Sequence, residues 1–123
     1  MSTTTTISIA GENALIVYFA DKPSAAISIE IANTAKKLRV FLGSTLIDLV
    51  PSYASLLVIY DPLKTDHHSV RRAIHTSIQA SKKAALGQSN DSGSLISLPV
   101  YYSGESGPDL NAVAAHAGLS IEE

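Results

Sequence analysis

From Thr5 to Ala10 the chain alternates β-branched and small residues, pauses at Gly11-Glu12-Asn13, and resumes as ALIVYFA from Ala14 to Ala20. Two β-rich runs around a glycine-containing turn predict a hairpin. In the second run Leu15, Val17 and Phe19 share one face, and Ala14, Ile16 and Tyr18 share the other. Both faces are largely apolar, which predicts a central strand covered by helices on at least one side. Asp21-Lys22-Pro23-Ser24 then breaks the run with helix-start residues.

From Ala25 the period changes. Ile27, Ile31, Ala35, Leu38 and Leu42 follow spacings of four, four, three and four, one stripe of a helix, while Glu30, Asn33, Lys36 and Lys37 point elsewhere. Gly43 stands where a C-terminal cap belongs. Thr45 to Val50 reads as a third strand, Pro51 to Ala54 as a turn and Ser55 to Tyr60 (SLLVIY) as a fourth strand, stopped by Asp61-Pro62. Thr65 or Asp66 is placed to cap a second helix running to about Lys83, with Val70, Ile74 and Ile78 four apart on its buried side.

The order is ββαββα, a hairpin–helix unit repeated once as a weak internal duplication. It predicts an α+β two-layer sandwich: an antiparallel four-stranded sheet with both helices on one face. Strands and helices do not alternate singly, which argues against a Rossmann-like parallel sheet. Residues 1–86 are expected to form this domain and 87–93 a linker, within the small, polar, glycine-flanked stretch AALGQSNDSG. Residues 94–123 are expected to open a second, incomplete domain. There Ser94 to Tyr102 (SLISLPVYY) is predicted as a strand whose Pro99 marks an edge or a bulge. Ser103 to Pro108 is a Gly-rich turn, and Asp109 to Ala117 a short helix ended by Gly118. Leu119 to Glu123 begins a further helix-like pattern.

Composition narrows the function classes. Hydrophobic residues make up 46% of the chain, so it is globular, and with five Tyr, two Phe and no Trp its core must be aliphatic. The formal net charge of -2 and the lack of a basic stripe argue against a nucleic-acid partner. There is no cysteine, which removes disulfides, thiolate zinc sites, iron–sulfur clusters and a Cys nucleophile and favours the cytoplasm. The opening MSTTTTISIAGE has neither a charged n-region nor an apolar h-region, and the apolar runs are short, so neither a signal peptide nor a membrane span is expected.

Familiar catalytic patterns fail on spacing. Gly104 and Gly107 bracket Glu105-Ser106 without the lysine of a phosphate-binding loop. Gly-rich turns before helices point N–H groups outward, so a backbone anion site there competes with a plain structural turn. Gly104-Glu105-Ser106-Gly107-Pro108 is one residue out of register for a nucleophile elbow. His68 and His75 lie seven apart with no carboxylate at metal-ligand spacing between them, so no metal site is expected. His67 and His68 fall in the exposed first turn of the second helix, and His116 on the short helix has a surface role as its default. Glu105 and Asp109 are close in sequence, but a pair of carboxylates for glycosidic chemistry cannot be argued from them. Arg71, Arg72, Lys82 and Lys83 read as the wet face of the second helix, with partner docking the minority reading.

Four segments together resemble one family. They are Gly11-Glu12-Asn13-Ala14-Leu15 with Val17 and Phe19; Val50-Pro51-Ser52-Tyr53-Ala54-Ser55-Leu56-Leu57-Val58 with Tyr60-Asp61-Pro62; Leu98-Pro99-Val100-Tyr101-Tyr102; and Gly104-Glu105-Ser106-Gly107-Pro108-Asp109-Leu110. Gly118-Leu119-Ser120 before Glu122-Glu123 fits as well. The pattern resembles the family of the B-type 5-oxoprolinase subunit, also called allophanate hydrolase subunit 1 or KipI-type kinase inhibitor, over nearly the whole chain.

That resemblance implies a ββαββα domain followed by a cyclophilin-like β-barrel domain, of which only the first strand and helix would be present. It implies a share in the ATP-dependent opening of 5-oxoproline to glutamate, with ATP used by the whole complex and A-type and C-type subunits as partners. The chain alone would be inactive. The alternative is a KipI-type inhibitor that binds a sporulation histidine kinase, and a third reading is a stand-alone α+β domain with an unrelated ligand. Tyr102, Gly104, Glu105, Gly107, Pro108 and Asp109 match the family's Gly-rich turn and are the candidate binding residues. Tyr53, Ser55, Tyr60 and Asp61 match the other motif and read as hairpin architecture. No nucleophile or general base is assigned.

Overall fold

The computed structural model describes residues 4–85 and 94–123, and these fall into two compact units. The expected linker, 87–93, lies outside the described residues.

In the first unit β1 (Thr6–Ile9), β2 (Ala14–Tyr18), β3 (Leu46–Pro51) and β4 (Ser55–Tyr60) form one sheet in the order β1-β2-β4-β3. Every neighbouring pair is antiparallel. The β1–β2 turn closes through the Ala10 N–H on the Ala14 carbonyl at 2.9 Å, with Gly11 at φ 96, a region that a side chain disfavours. Register aligns Ile7 with Val17, Val17 with Leu56, and Leu15 with Val58. Residues of one parity therefore meet the helices together, as the period of two requires. Ile16, Leu57 and Val50 lie in register on the sheet's other face. The edge strand β3 carries a register shift between Leu46 and Asp48, and it ends on Pro51, which no neighbour needs as a donor.

Both helices pack on one face. α1 (Ala25–Leu42) starts at Ser24, whose hydroxyl accepts from the Ile27 N–H at 3.2 Å. It ends at Gly43, φ 52, whose N–H reaches the Arg39 carbonyl, and a 3-10 turn (Gly43–Thr45) follows. Thr45 is thus in that turn, and the third strand begins one residue later than the sequence pattern suggests. α2 (His67–Ala85) is capped by Asp66, whose carboxylate accepts from the Ser69 N–H at 2.8 Å. The core joins Leu15, Val17 and Phe19 to Ile31, Leu38 and Leu42 of α1, Leu56, Val58 and Tyr60 of β4, and Val70, Ile74 and Ile78 of α2. Each buried aliphatic or aromatic side chain contributes roughly 1.5–3 kcal/mol, and this layer is what holds the two hairpins together. Thr34, Ser77 and Ser81 sit buried among these apolar residues.

In the second unit the strand expected over Ser94 to Tyr102 is not formed. A strand is stabilised by cross-strand pairs, and residues 94–102 pair with no strand among the described residues. The residues run without regular structure and leave Leu95, Ile96, Leu98, Val100, Tyr101 and Tyr102 exposed. α3 (Leu110–Ala117) does form, one residue later than expected at its start. It ends at Gly118, φ 70, with the Leu119 N–H bonded to the Ala114 carbonyl and the Gly118 N–H to the Ala115 carbonyl. That paired closure is the reason for glycine there.

Candidate functional site

The six candidate residues, Tyr102, Gly104, Glu105, Gly107, Pro108 and Asp109, lie in one short stretch between the irregular arm and α3, and only Gly107 is part-buried. The Gly-rich turn is held by residues outside that set. The Ser106 hydroxyl donates to the Tyr101 carbonyl at 2.7 Å and accepts from the Ser103 N–H at 3.2 Å. The Ser106 N–H in turn donates to the Ser103 hydroxyl at 3.2 Å. The Gly107 N–H closes on the Ser103 carbonyl at 2.9 Å, and the Leu110 N–H on the Gly107 carbonyl at 3.0 Å. Two serines three apart thus staple the turn, the local bonding that hydroxyl side chains offer a backbone. The spacing Ser103-x-x-Ser106 between small residues is the signal that would have found them.

Glu105 is the turn's carboxylate, and its oxygen accepts from the Tyr101 hydroxyl at 3.2 Å. Tyr101, rather than Tyr102, therefore partners it, four residues apart. Pro108 stands two residues ahead of the first helical residue instead of starting the helix. Asp109 immediately precedes α3 and makes no side-chain cap bond. Its charge still lies at the helix's positive end, where an acid is favourable.

Neither Gly104 nor Gly107 has the positive φ that would demand glycine. A Cβ at Gly104 would meet nothing closer than Asn111 Nδ2 at 3.9 Å, and at Gly107 the Ser103 carbonyl oxygen at 3.5 Å, both ordinary contacts. The turn itself therefore does not explain these two glycines.

Charge limits what this turn can hold. Residues 94–123 contain Glu105, Asp109, Glu122 and Glu123 and no Lys or Arg. A polyphosphate at this turn would meet like charge, with no Lys or Arg from residues 94–123 to offset it. Among the described residues no group of three or more His, Asp or Glu side chains is placed to hold a metal ion. His67, His68, His75 and His116 are all exposed, and no helix there is long and apolar enough to cross a membrane.

The hairpin motif has an architectural placement. Tyr60 is buried in the core, and Tyr53 stands exposed in the β3–β4 turn. Asp61 accepts from the Leu63 N–H at 2.9 Å and lies 3.8 Å from the Lys64 ammonium.

The family model for the carboxyltransferase domain, subdomain C and D, matches residues 5–123. Among solved structures, the chain is similar to that of the conserved uncharacterized protein PH0987 from Pyrococcus horikoshii. Identity is 35% and the TM-score 0.62, over 95% of this chain and 51% of that one. The chain thus spans about half the length of that relative. No curated protein sequence matches it.

Proposed function

Given that the chain belongs to the carboxyltransferase subdomain C and D family, which takes in the B-type 5-oxoprolinase subunits, allophanate hydrolase subunit 1 and the KipI type, we propose that it acts as a B-type 5-oxoprolinase subunit. In that role it joins A-type and C-type subunits in the cytoplasm to convert 5-oxoproline, ATP and water into glutamate, ADP and phosphate. The observation that carries this reading is the extent of the match, which runs through both the hairpin motif and the Gly-rich turn between residues 5 and 123.

The chemistry divides naturally among the three kinds of subunit. Opening the lactam adds water across the ring C–N bond, leaving a carboxylate and an amine, and hydrolysis of ATP drives it. The acidic turn at Ser103 to Pro108 is unsuited to phosphates, so in this reading ATP is held elsewhere in the complex. An exposed turn with two glycines that its own geometry does not need is suited instead to close contact with a substrate or with the partner that holds it.

The test is reconstitution. The three subunits are combined, and glutamate release from 5-oxoproline is followed with and without ATP. Activity that requires this chain supports the reading. Equal activity without it overturns the reading, as would inhibition of histidine kinase autophosphorylation with no glutamate released, the KipI-type outcome.

A further inference from the structure

The two open edges of the sheet are built differently. β1 and β3 are the outer strands of the order β1-β2-β4-β3. In an antiparallel pair bonded and non-bonded residues alternate, so every second residue of an edge strand turns its N–H and C=O away from its neighbour. Where β3 turns into β4, the Ser52 N–H reaches the Ser55 carbonyl at 2.8 Å, which sets the alternation and leaves Leu49 and Pro51 facing outward. Pro51 has no N–H to offer, and the Leu49 N–H is taken by the Asp48 carboxylate at 2.8 Å. With the register shift between Leu46 and Asp48 as well, β3 is closed to a further strand.

β1 is open. The Ala10 N–H reaches the Ala14 carbonyl at 2.9 Å, so Ser8 and Thr6 bond to β2, while Ile7 and Ile9 turn their N–H and C=O groups outward. Among the described residues β2 is the only strand that pairs with β1. The strand TISI has no charge, no proline and no register shift, the devices that protect an edge. Ile9 is a second observation. It is in register with Leu15 and Val58 of the helix-facing side, yet it is 65% exposed, because no described strand stands beyond β1 to cover it.

We propose that β1 is a self-association edge: two copies of the chain join β1 to β1, antiparallel about a two-fold axis at Ser8, and their sheets become one. A row of outward backbone groups is satisfied by an extended strand, which fixes the class of occupant. A two-fold pairing sets each side chain near its own counterpart, so charges in it would repel. Residues 1–11 contain no charged side chain, as a strand that pairs with itself requires. With the axis at Ser8, Ile7 of each copy exchanges both backbone bonds with Ile9 of the second copy and covers its side chain on the helix side. Ser8 then meets Ser8 on the other face, where hydroxyl pairs are favourable. The proposal does not rest on the 5-oxoprolinase reading, because it is tested by mass and cross-linking and not by activity.

The experiment follows the full chain by sedimentation at rising concentration and by amide hydrogen exchange. A monomer–dimer equilibrium is expected, with the Ile7 and Ile9 amides gaining protection as the dimer forms. Since the chain has no cysteine, Ser8→Cys puts a single thiol at the axis. Opposed Cα atoms of a non-bonded pair stand about 4.5 Å apart, within disulfide reach. Mild oxidation should convert this variant to a covalent dimer, whereas Ser52→Cys, exposed in the β3–β4 turn, should gain no cross-link. Ile9→Lys should weaken association about tenfold or more, with circular dichroism unchanged because Ile9 is exposed. The proposal is overturned if the chain stays monomeric and Ser8→Cys does not cross-link, or if Ile9→Lys leaves a dimer intact. A dimer that protects residues 95–102 but not Ile7 and Ile9 would overturn it in favour of association through the arm. Protection of Ile7 and Ile9 only when another protein is added would overturn it in favour of a foreign strand.

Discussion

The Ser106 hydroxyl and the Tyr101 carbonyl lie 2.7 Å apart, the shortest of the bonds that close the Gly-rich turn onto the arm before it. The same hydroxyl oxygen accepts the Ser103 N–H, so one side chain satisfies a donor and an acceptor on opposite sides of the loop. Ser106→Ala removes both. Because the site is exposed, water replaces part of the loss, and the local cost is about 1 kcal/mol. The Ser103 amide should exchange with solvent faster, while the denaturation midpoint of the first unit stays unchanged. Ser106→Thr, which keeps the hydroxyl, should restore protection. Unaltered exchange in Ser106→Ala would mean that the turn is held by its backbone bonds alone.

Gly104 and Gly107 offer a test of whether the turn is used by a ligand. At neither position would an added methyl clash or meet a positive φ. Replacement by alanine should therefore leave stability unchanged or raise it by about 0.4–1 kcal/mol, through the less flexible unfolded chain. Gly11→Ala, at φ 96, should instead destabilise its hairpin. If Gly104→Ala or Gly107→Ala lowers glutamate release by the reconstituted complex while the fold is intact, the lost space was being used by a ligand. Full activity in both would remove the turn from the site.

How much of this chain is legible in its sequence follows from how local each feature is. The strands β1 to β4 and the inward stripes of α1 and α2 are legible because a period of two or of 3.6 is written in neighbouring residues. The cap of α2 is legible to within one residue, since Thr65 and Asp66 are both capping types and the structure selects Asp66. The arm from Ser94 to Tyr102 reads falsely as a strand because β-branched and aromatic content records only local preference, whereas a strand exists through a distant partner. The staple of Ser103 and Ser106 escapes a reading of glycine spacing, which passes over the hydroxyls between the glycines.

Leu38 and Val40, two residues apart on α1, give the clearest stability contrast. Leu38 is fully buried in the core, and Val40 points to solvent. Leu38→Ala should cost about 2–5 kcal/mol, the range for a large-to-small change that leaves a cavity. Val40→Ala should stay within about 0.5 kcal/mol, as surface changes do. Denaturant unfolding of both variants measures the difference. Comparable losses would mean that the outward face of α1 is already packed.

Ser77 is fully buried in α2, and among the described residues its hydroxyl has no hydrogen-bond partner, whereas buried Thr34 donates to the Glu30 carbonyl at 2.8 Å. A buried polar group without a partner keeps its desolvation cost, and serine is also the weaker helix former. Ser77→Ala should raise stability by about 0.5–2 kcal/mol. A loss in the unfolding midpoint would show that the hydroxyl is hydrogen-bonded to a water in solution.

Asp66 makes the start of α2 sensitive to acid. Its carboxyl is held below the ordinary 3.8, chiefly by the Ser69 N–H it accepts. The Ser69 hydroxyl, the His68 N–H and the charge of His68 act in the same direction, and partial desolvation opposes them. The folded chain therefore holds this proton less tightly than the unfolded one. The cap's contribution is complete above 3.8 and is lost as pH falls through the lower folded value. Asp66→Asn keeps an oxygen that can accept from the Ser69 N–H but removes the titrating charge. Denaturant unfolding of the two proteins, repeated from neutral pH into the acid range, should show the unaltered chain losing stability relative to Asp66→Asn in that window. Parallel curves would mean that the charge on Asp66 contributes nothing to the start of α2 beyond what a neutral cap provides.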